Sequence, residues 1–358
     1  MSEPASTSEG AGRTEDVAEV DLASVSQSHW RRILGSTASA LIVVIVVFVV
    51  LGATQNERFL DQLTWTNILR NAVFLVIVGA GSTVVMVGGG LDLSIGSVFA
   101  AGAVSAAWAA DAGWIVPLVF LFGISVGIAV GLLNGALVNY LDISPIIVTL
   151  GTLFAVRSLV VTLSGGNPIG PLPDSFTAIG QGEFFGIPLL IIIAAIVAIL
   201  MDILLEKTKI GWTIRAVGGN REGARRFGIK VRQVSTATYM LGGGLAAFAG
   251  VLMASRLSSG TPSLGGGFEL EVIAAVVIGG TSIGGSIGTI RGTVMGAILL
   301  SLLTTGLILL KVDSTLQNLF VGAVVILAAA LDQVRKKRMF RQSVAGVAAD
   351  DTPPPSGD

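Results

Sequence analysis

Ten apolar stretches, each close to the length that crosses a lipid bilayer, are the feature that most constrains the fold of this 358-residue chain. A helix needs roughly 20 mainly apolar residues to span the hydrocarbon core. Charged residues make up 13% of the chain, against about a quarter in a soluble domain, too few to cover a surface in water. The sequence therefore predicts an all-α membrane protein of about ten transmembrane helices, at residues 34–53, 67–87, 92–110, 114–137, 145–163, 187–205, 234–254, 271–285, 290–310 and 315–331.

Glycine shapes two of these stretches. The eighth, residues 271–285, is broken up by glycine, so it is either a full span or a re-entrant half helix. In the fourth stretch glycine recurs at every fourth position, a spacing that lets neighbouring helix backbones approach closely. The residues concerned are Gly123, Gly127, Gly131 and Gly135.

Positive charge is distributed unequally between the two sides of the predicted bundle. Ten spans place both termini on one side, and cytoplasmic loops carry an excess of Lys and Arg. With both termini in the cytoplasm, only Arg58, Arg70, Arg256 and Lys311 lie outside, so this orientation is the predicted one. The inner segments then hold sixteen cations: Arg31, Arg32, Lys207, Lys209, Arg215, Arg221, Arg225, Arg226, Lys230, Arg232, Arg291, Arg335, Lys336, Lys337, Arg338 and Arg341.

Polar segments flank the apolar part of the chain. Residues 1–32 are acidic and are predicted to be a disordered cytoplasmic tail. Residues 33–334 form the predicted membrane domain, and residues 335–358 a basic and then disordered cytoplasmic tail. The chain has no cysteine, and its single histidine, His29, lies in the first tail. Disulfide and thiolate chemistry, and a histidine-based metal site inside the membrane, are therefore excluded.

The longest inner connection, residues 206–232, carries a dense group of cations. Within it, GGNREGARRFGIKV has the order of a two-turn surface helix: a capping residue, an acid at the positive end, bases at the negative end and a glycine stop. These are Asn220, Glu222, Arg225, Arg226 and Gly228. Charge alone would attract such a loop to anionic lipid, whereas a capped and terminated helix suits docking against another protein.

Four separated motifs resemble the permease subunit of ribose-type bacterial ABC importers, which carry monosaccharides. They are GGGLDLSIGS at 88–97, ISPIIVTLGT at 143–152, the loop at 218–231 and the long run at 254–293. The motifs come in the family's order, and the resemblance covers roughly residues 60–332.

The resemblance implies a permease bundle in the bacterial plasma membrane, working as two copies, identical or paralogous. An extracytoplasmic sugar-binding protein would feed it and a separate ABC ATPase would drive alternating access; no nucleic acid partner is implied. The chain is then a transport subunit rather than an enzyme and binds no cofactor, because ATP sits on the partner and no GxxxxGK[ST] motif is present. The residues implied to contact the ATPase are Gly219, Asn220, Glu222, Ala224, Arg225, Arg226 and Gly228.

Two polar interruptions separate the predicted spans, GGGLDLSIGS and GGTSIGGSIGT at 279–289. The first is either a turn in which Asp92 or Ser94 caps the next helix, or irregular backbone facing a water-filled pathway for a hydroxylated solute. Both interruptions contain the triplet SIG, at 94–96 and 286–288, a hint of an internal pseudo-symmetric repeat.

Further polar residues fall inside predicted spans. Arg157 lies midway along the fifth span, where a charge is costly, so it serves either function or as a pin between helices, with a partner in the bundle. Asp202 is expected near Lys207 at the inner interface. The candidate translocation pathway comprises Asp92, Ser94, Asn134, Thr149, Thr152 and Arg157.

The outer turn before the eighth span is polar and rich in glycine. Its acids favour a helix start through the helix dipole, and the resemblance adds a second interpretation, contact with the binding protein. The candidate contacts are Pro262, Gly266, Glu269 and Glu271.

Two other functional classes fit the sequence less well. An ion-coupled secondary sugar carrier needs titratable groups or a sodium site at mid-membrane, for which Asp92 alone is thin support. An intramembrane enzyme is disfavoured because the chain has no HExxH motif, no serine–histidine pair and no paired membrane carboxylates.

Overall fold

A computed structural model describes residues 46, 49, 50, 52–54, 57–313, 316, 319, 322 and 323 of the chain. The two predicted tails, residues 1–32 and 335–358, lie outside the described residues. So do the predicted first and last spans, apart from the isolated positions just given.

The described part is helical, with one short β-hairpin. A 3-10 turn at Glu57–Leu60 precedes α1. The α-helices are α1 Gln62–Val87, α2 Ile95–Asp111, α3 Val116–Tyr140, α4 Pro145–Leu163, α5 Asp174–Gln181, α6 Leu189–Lys207, α7 Lys209–Gly219, α8 Arg221–Arg226, α9 Val231–Leu257, α10 Phe268–Ile278 and α11 Ile290–Leu309. The antiparallel hairpin, β1 Glu183–Phe184 and β2 Ile187–Pro188, connects α5 to α6.

The all-helical membrane class is confirmed. Six helices in the described part, α1, α3, α4, α6, α9 and α11, are long and apolar enough to cross a bilayer. The third and eighth predicted spans correspond instead to shorter helices. The 17-residue α2 begins only at Ile95, and the 11-residue α10 ends at Ile278. At 1.5 Å per residue, α10 covers about half of the hydrocarbon core, so of the two forms expected for the eighth stretch the half helix is observed.

Helix α9 lies at the centre of the described bundle and packs against α1, α2, α3 and α5. The glycines predicted to allow close approach line the face of α3 that meets it. A Cβ on Gly127 would strike the carbonyl oxygen of Gly243, and one on Gly131 would strike that of Tyr239. Backbone-to-backbone contact therefore replaces the side-chain layer between α3 and α9.

The end of the bundle that carries the hairpin is held together by polar contacts. Arg70 of α1 donates to Glu183 of β1 at 2.8 Å. Buried Ser255 near the end of α9 donates to the Phe176 carbonyl and accepts from the Gly180 backbone N–H, which fixes α5. Phe185 at the hairpin tip is 90% exposed. Helix α9 begins shortly after α8 in the chain and ends beside α5, so the hairpin and α8 lie near opposite ends of α9.

The glycine seam between α3 and α9 yields a stability prediction. Gly127→Val should lower the free energy of unfolding by about 1–3 kcal/mol, because the new side chain overpacks a backbone contact. Gly151→Val on α4 is the matched control, since a Cβ there meets nothing within 4 Å. Thermal unfolding of the purified chain in detergent measures both, and equal midpoints would show that the seam does not depend on glycine.

Candidate coupling and translocation site

The short helix predicted within residues 218–231 is present as α8. Its N-cap is Asn220, whose side chain accepts the backbone N–H of Gly223 at 2.8 Å. Glu222 lies in the first turn and pairs with Arg225 at 3.8 Å and Arg226 at 3.5 Å. The helix ends at Arg226; its C-cap, Phe227, is 89% exposed, and Gly228 follows with φ of +79°. A compact helix with an exposed phenylalanine at its tip is a shape suited to insertion into a groove.

The preceding segment is also helical, which the sequence reasoning missed. On helix α7 the side chains of Ile214 and Val217 are buried, whereas those of Ile210 and Trp212 are exposed. Thr208 caps it by accepting the backbone N–H of Gly211 at 3.2 Å. The spacing of Ile210, Ile214 and Val217 is that of an amphipathic helix and was the available signal.

The C-terminal end of α7 contacts both glycine-rich interruptions at once. A Cβ on Gly218 would strike the carbonyl oxygen of Val87, the last residue of α1. The Cα of Gly218 lies 3.3 Å from the position a Cβ would take on Gly89, and the carbonyl oxygen of Gly218 lies close to Gly285. Ser286 N–H donates to Val87 at 2.8 Å, so the two interruptions are also joined to each other. The end of α7, the end of α1 and the two interruptions therefore pack backbone against backbone.

Arg215 ties α7 to the second interruption by side-chain hydrogen bonds. Its guanidinium donates to the carbonyl oxygens of Ser286 at 3.1 Å and Gly288 at 3.0 Å, and it also pairs with Glu206 at the end of α6. Planar, multidentate contact of this kind is particular to arginine. The side chain thereby fixes the position of α7 relative to the loop between α10 and α11.

A second polar link runs from α8 into the bundle. Arg221, the first residue of α8, donates to the amide oxygen of Asn139 at 2.5 Å. Asn139 in turn donates to the Gly135 carbonyl at 2.8 Å and to Thr236 at 3.3 Å. The C-terminal part of α3 and the N-terminal part of α9 are thus bonded to the short helix.

The first interruption contains a buried polar network at the start of α2. Asp92 accepts the Ser94 backbone N–H at 2.8 Å and its hydroxyl at 2.6 Å. Asn134 of α3 donates to the same Ser94 hydroxyl at 2.9 Å. All three side chains are at most 4% exposed. Neither the Asp92 nor the Ser94 side chain accepts an N–H of α2, although the Ser94 carbonyl accepts the Val98 N–H at 2.9 Å. The predicted side-chain cap therefore takes the form of a turn that precedes the helix.

The first turns of α2 and α10 meet beside this network. A Cβ on Gly96 would strike the carbonyl oxygen of Gly265 and the carboxylate of Glu269. Arg157 of α4 supplies the nearby cation, donating to the carbonyls of Leu264 at 2.6 Å and Gly265 at 2.8 Å. The partner expected for Arg157 is thus backbone rather than an acid. Two helix N-termini converge here, and such ends favour electron-rich ligand groups.

Three acceptor atoms in this region have no hydrogen-bond partner among the described residues. They are Asp92 Oδ2, Asn134 Oδ1 and Glu269 Oε2, each buried. A buried acceptor without a hydrogen bond lowers the stability of the fold. These three atoms can therefore accept hydrogen bonds from donors that the described residues do not provide.

The remaining predicted residues lie elsewhere. Thr149 and Thr152 are buried, and both bond carbonyls of their own helix, so they join neither the network nor another helix. Asp202 pairs with Arg291 at 2.8 Å instead of approaching Lys207.

The predicted binding-protein contacts in the loop before α10 differ in accessibility. Gly266 is exposed, Pro262 is buried, and the acids Glu269 and Glu271 are half-buried. Both acids lie in the first turn of α10, as the dipole argument expected.

The network at Ser94 yields a prediction. Ser94→Ala should cost about 1–3 kcal/mol of unfolding free energy, because it removes the hydroxyl that joins two buried polar side chains. Ser105→Ala on the same helix is the control, since that hydroxyl bonds only carbonyls of its own helix. Chemical unfolding in detergent compares the two, and losses of equal size would contradict a special role for the network.

Comparison with known proteins agrees with this geometry. Residues 64–329 match the family described as branched-chain amino acid transport system / permease component. The chain is 37% identical to the ribose import permease protein RbsC of Bacillus subtilis, over 85% of this chain and 93% of that one. It is 33% identical to the galactose/methyl galactoside import permease protein MglC of Haemophilus influenzae, over 83% and 94%.

A third relative is the autoinducer 2 import system permease protein LsrC of Salmonella typhi, 33% identical over 88% of this chain and 92% of that one. No solved structure matches the chain. Because the family match covers most of the chain and these relatives are matched nearly end to end, the chain belongs to the permease family of bacterial ABC importers, as a membrane transport subunit of the ribose- and galactose-type group.

Proposed function

We propose that this permease imports a monosaccharide or related polyol by alternating access, driven by an ABC ATPase that binds α8. The named cargoes of the relatives, ribose, galactose, methyl galactoside and autoinducer 2, support a small hydroxylated solute. The observation that carries the mechanism is the contact of the α7 end with both interruptions. A push on α8 would move the two broken segments together.

The ATPase contact consists of the exposed surface of α8 and the turns beside it. Glu222, Arg225 and Arg226 are each more than 60% exposed on their side chains, and Phe227 projects beyond them. In this proposal Gly219, Asn220, Ala224 and Gly228 shape the helix and its turns, while the charged side chains and Phe227 make the contact.

The translocation pathway, in this proposal, opens where the first turns of α2 and α10 converge. Hydroxyl groups of a sugar are hydrogen-bond donors, and the buried acceptors of Asp92, Asn134 and Glu269 have no other use among the described residues. In the described chain Asp92 and Asn134 are buried and Glu269 is half-buried. Exposing them requires α2 and α10 to separate, which is the movement that a push on α7 would produce.

The wider arrangement follows from the charge distribution and the resemblance. We propose ten spans with both termini in the cytoplasm, two copies of the permease in the assembly, and a pseudo-symmetric relation between the halves that contain α2 and α10. The loop before α10, with exposed Gly266, would face the sugar-binding protein.

Substitutions of two phenylalanines at opposite ends of the bundle test whether the exposed surface of α8 binds the ATPase. Phe227→Asp should reduce recovery of the ATPase with the permease at least about tenfold, because burial of a charge in an apolar pocket is costly. Phe185→Asp is the matched control, with a side chain exposed to the same degree at the hairpin tip. Affinity co-purification of the complete importer measures both, and equal recovery from the two variants would remove α8 as the docking element.

Arg215 tests the transmission step. Arg215→Gln should leave the ATPase bound and hydrolysing ATP while lowering sugar uptake at least about tenfold, because the tie between α7 and the second interruption is lost. Arg70→Gln, which breaks only the surface pair with Glu183, serves as the control. Uptake and ATP turnover are measured together in proteoliposomes. Uptake that stays in proportion to ATP turnover in Arg215→Gln would contradict the proposal.

A further inference from the structure

An apolar groove lies between α6, α7 and α9, on the α7 side of the bundle. Val84 of α1 lies among its walls, and the groove has a volume of about 270 Å³. Its walls are almost wholly apolar and include Leu204 of α6, Lys209 and Ile210 of α7, and Ala237 and Leu241 of α9. It belongs neither to the buried network nor to α8.

Charge at the mouth of this groove is positive and unneutralised. Lys207 and Lys209 stand at the junction of α6 and α7, both exposed, and neither forms an ion pair among the described residues. Glu206, the acid next to Lys207 in the chain, pairs with Arg215. An apolar groove lined by one free ammonium group, that of Lys209, is complementary to a molecule with a long apolar tail and an anionic head.

The side chains around α7 also suit the boundary between lipid and water. Trp212 is 69% exposed and Ile210 is 61% exposed, on a helix that also carries the free cation Lys209. Tryptophan is enriched at membrane interfaces, and an amphipathic helix with basic residues lies in the plane of the interface. The groove mouth is therefore at the depth of the phospholipid head groups.

We propose that the groove binds one anionic phospholipid, with an acyl chain between α6 and α9 and its phosphate beside Lys209. The lipid would fill the space beneath α7 and hold that helix at a fixed height against the bundle. This inference goes beyond the proposed transport function and does not depend on it, because it requires only that the chain be embedded in a bilayer.

Native mass spectrometry of the purified chain with phosphatidylglycerol or phosphatidylcholine tests the proposal. The unaltered chain should retain phosphatidylglycerol at least about fivefold more than phosphatidylcholine. Lys209→Ala should remove this preference, and Ala237→Trp, which fills the groove, should reduce retention of both lipids. Lys230→Ala is the matched control, because Lys230 is exposed and lies outside the groove.

The unfolding midpoint gives a second readout that needs no mass measurement. Phosphatidylglycerol should raise the midpoint of the unaltered chain and of Lys230→Ala, but not of Lys209→Ala; glycerol phosphate, which has no acyl chain, should raise none of them. Equal retention of the two lipids by the unaltered chain would overturn the proposal. Lipid retention in Lys209→Ala equal to that of the unaltered chain would also overturn it. The same holds if a second copy of the chain, or residues 315–331, cover the groove.

Discussion

Direct contact between backbones, made possible by glycine, supports the whole described structure. It joins α3 to α9 at Gly127, α2 to the loop before α10 at Gly96, and α7 to the two interruptions at Gly218. In a bilayer the hydrophobic effect does not draw helices together, so close van der Waals packing and polar bonds must do so. Glycine therefore occurs both where helices pack closely against each other and in the two interruptions between helices.

The same contacts bear on how, in the proposed mechanism, a partner would move a transport subunit that has no ATPase domain. Side chains between two helices can change rotamer and absorb a small displacement, whereas two touching backbones transmit it. At the end of α7 no side-chain layer separates Gly218 from Val87 and the interruptions, and Arg215 adds hydrogen bonds to the same loop. In the proposed mechanism the lever is thus α7 with α8, and the broken segments are the parts that move.

The irregular segments before α2 and α10 give the interior its chemical character. Irregular backbone is tolerated at membrane depth only when it is buried in protein or lines a cavity, and here its polar groups are largely satisfied within the chain. Asp92, Ser94 and Asn134 bond one another, and Arg157 binds the carbonyls of the loop opposite. The three acceptor atoms left over are those that the proposed pathway offers to the hydroxyl groups of a solute.

The sequence by itself determined the membrane class, the positions of the long helices and the limits of α8, because apolar length, capping residues and glycine stops act locally. It also identified Asp92, Ser94 and Arg157 as unusual, since polar groups inside an apolar span are costly wherever they lie. Only the tertiary structure decided their partners, the shortness of α10, the contacts of α7 and the pairing of Asp202 with Arg291. Those features depend on contacts between residues far apart in the chain, and neither periodicity nor composition specifies which distant backbone a glycine will touch.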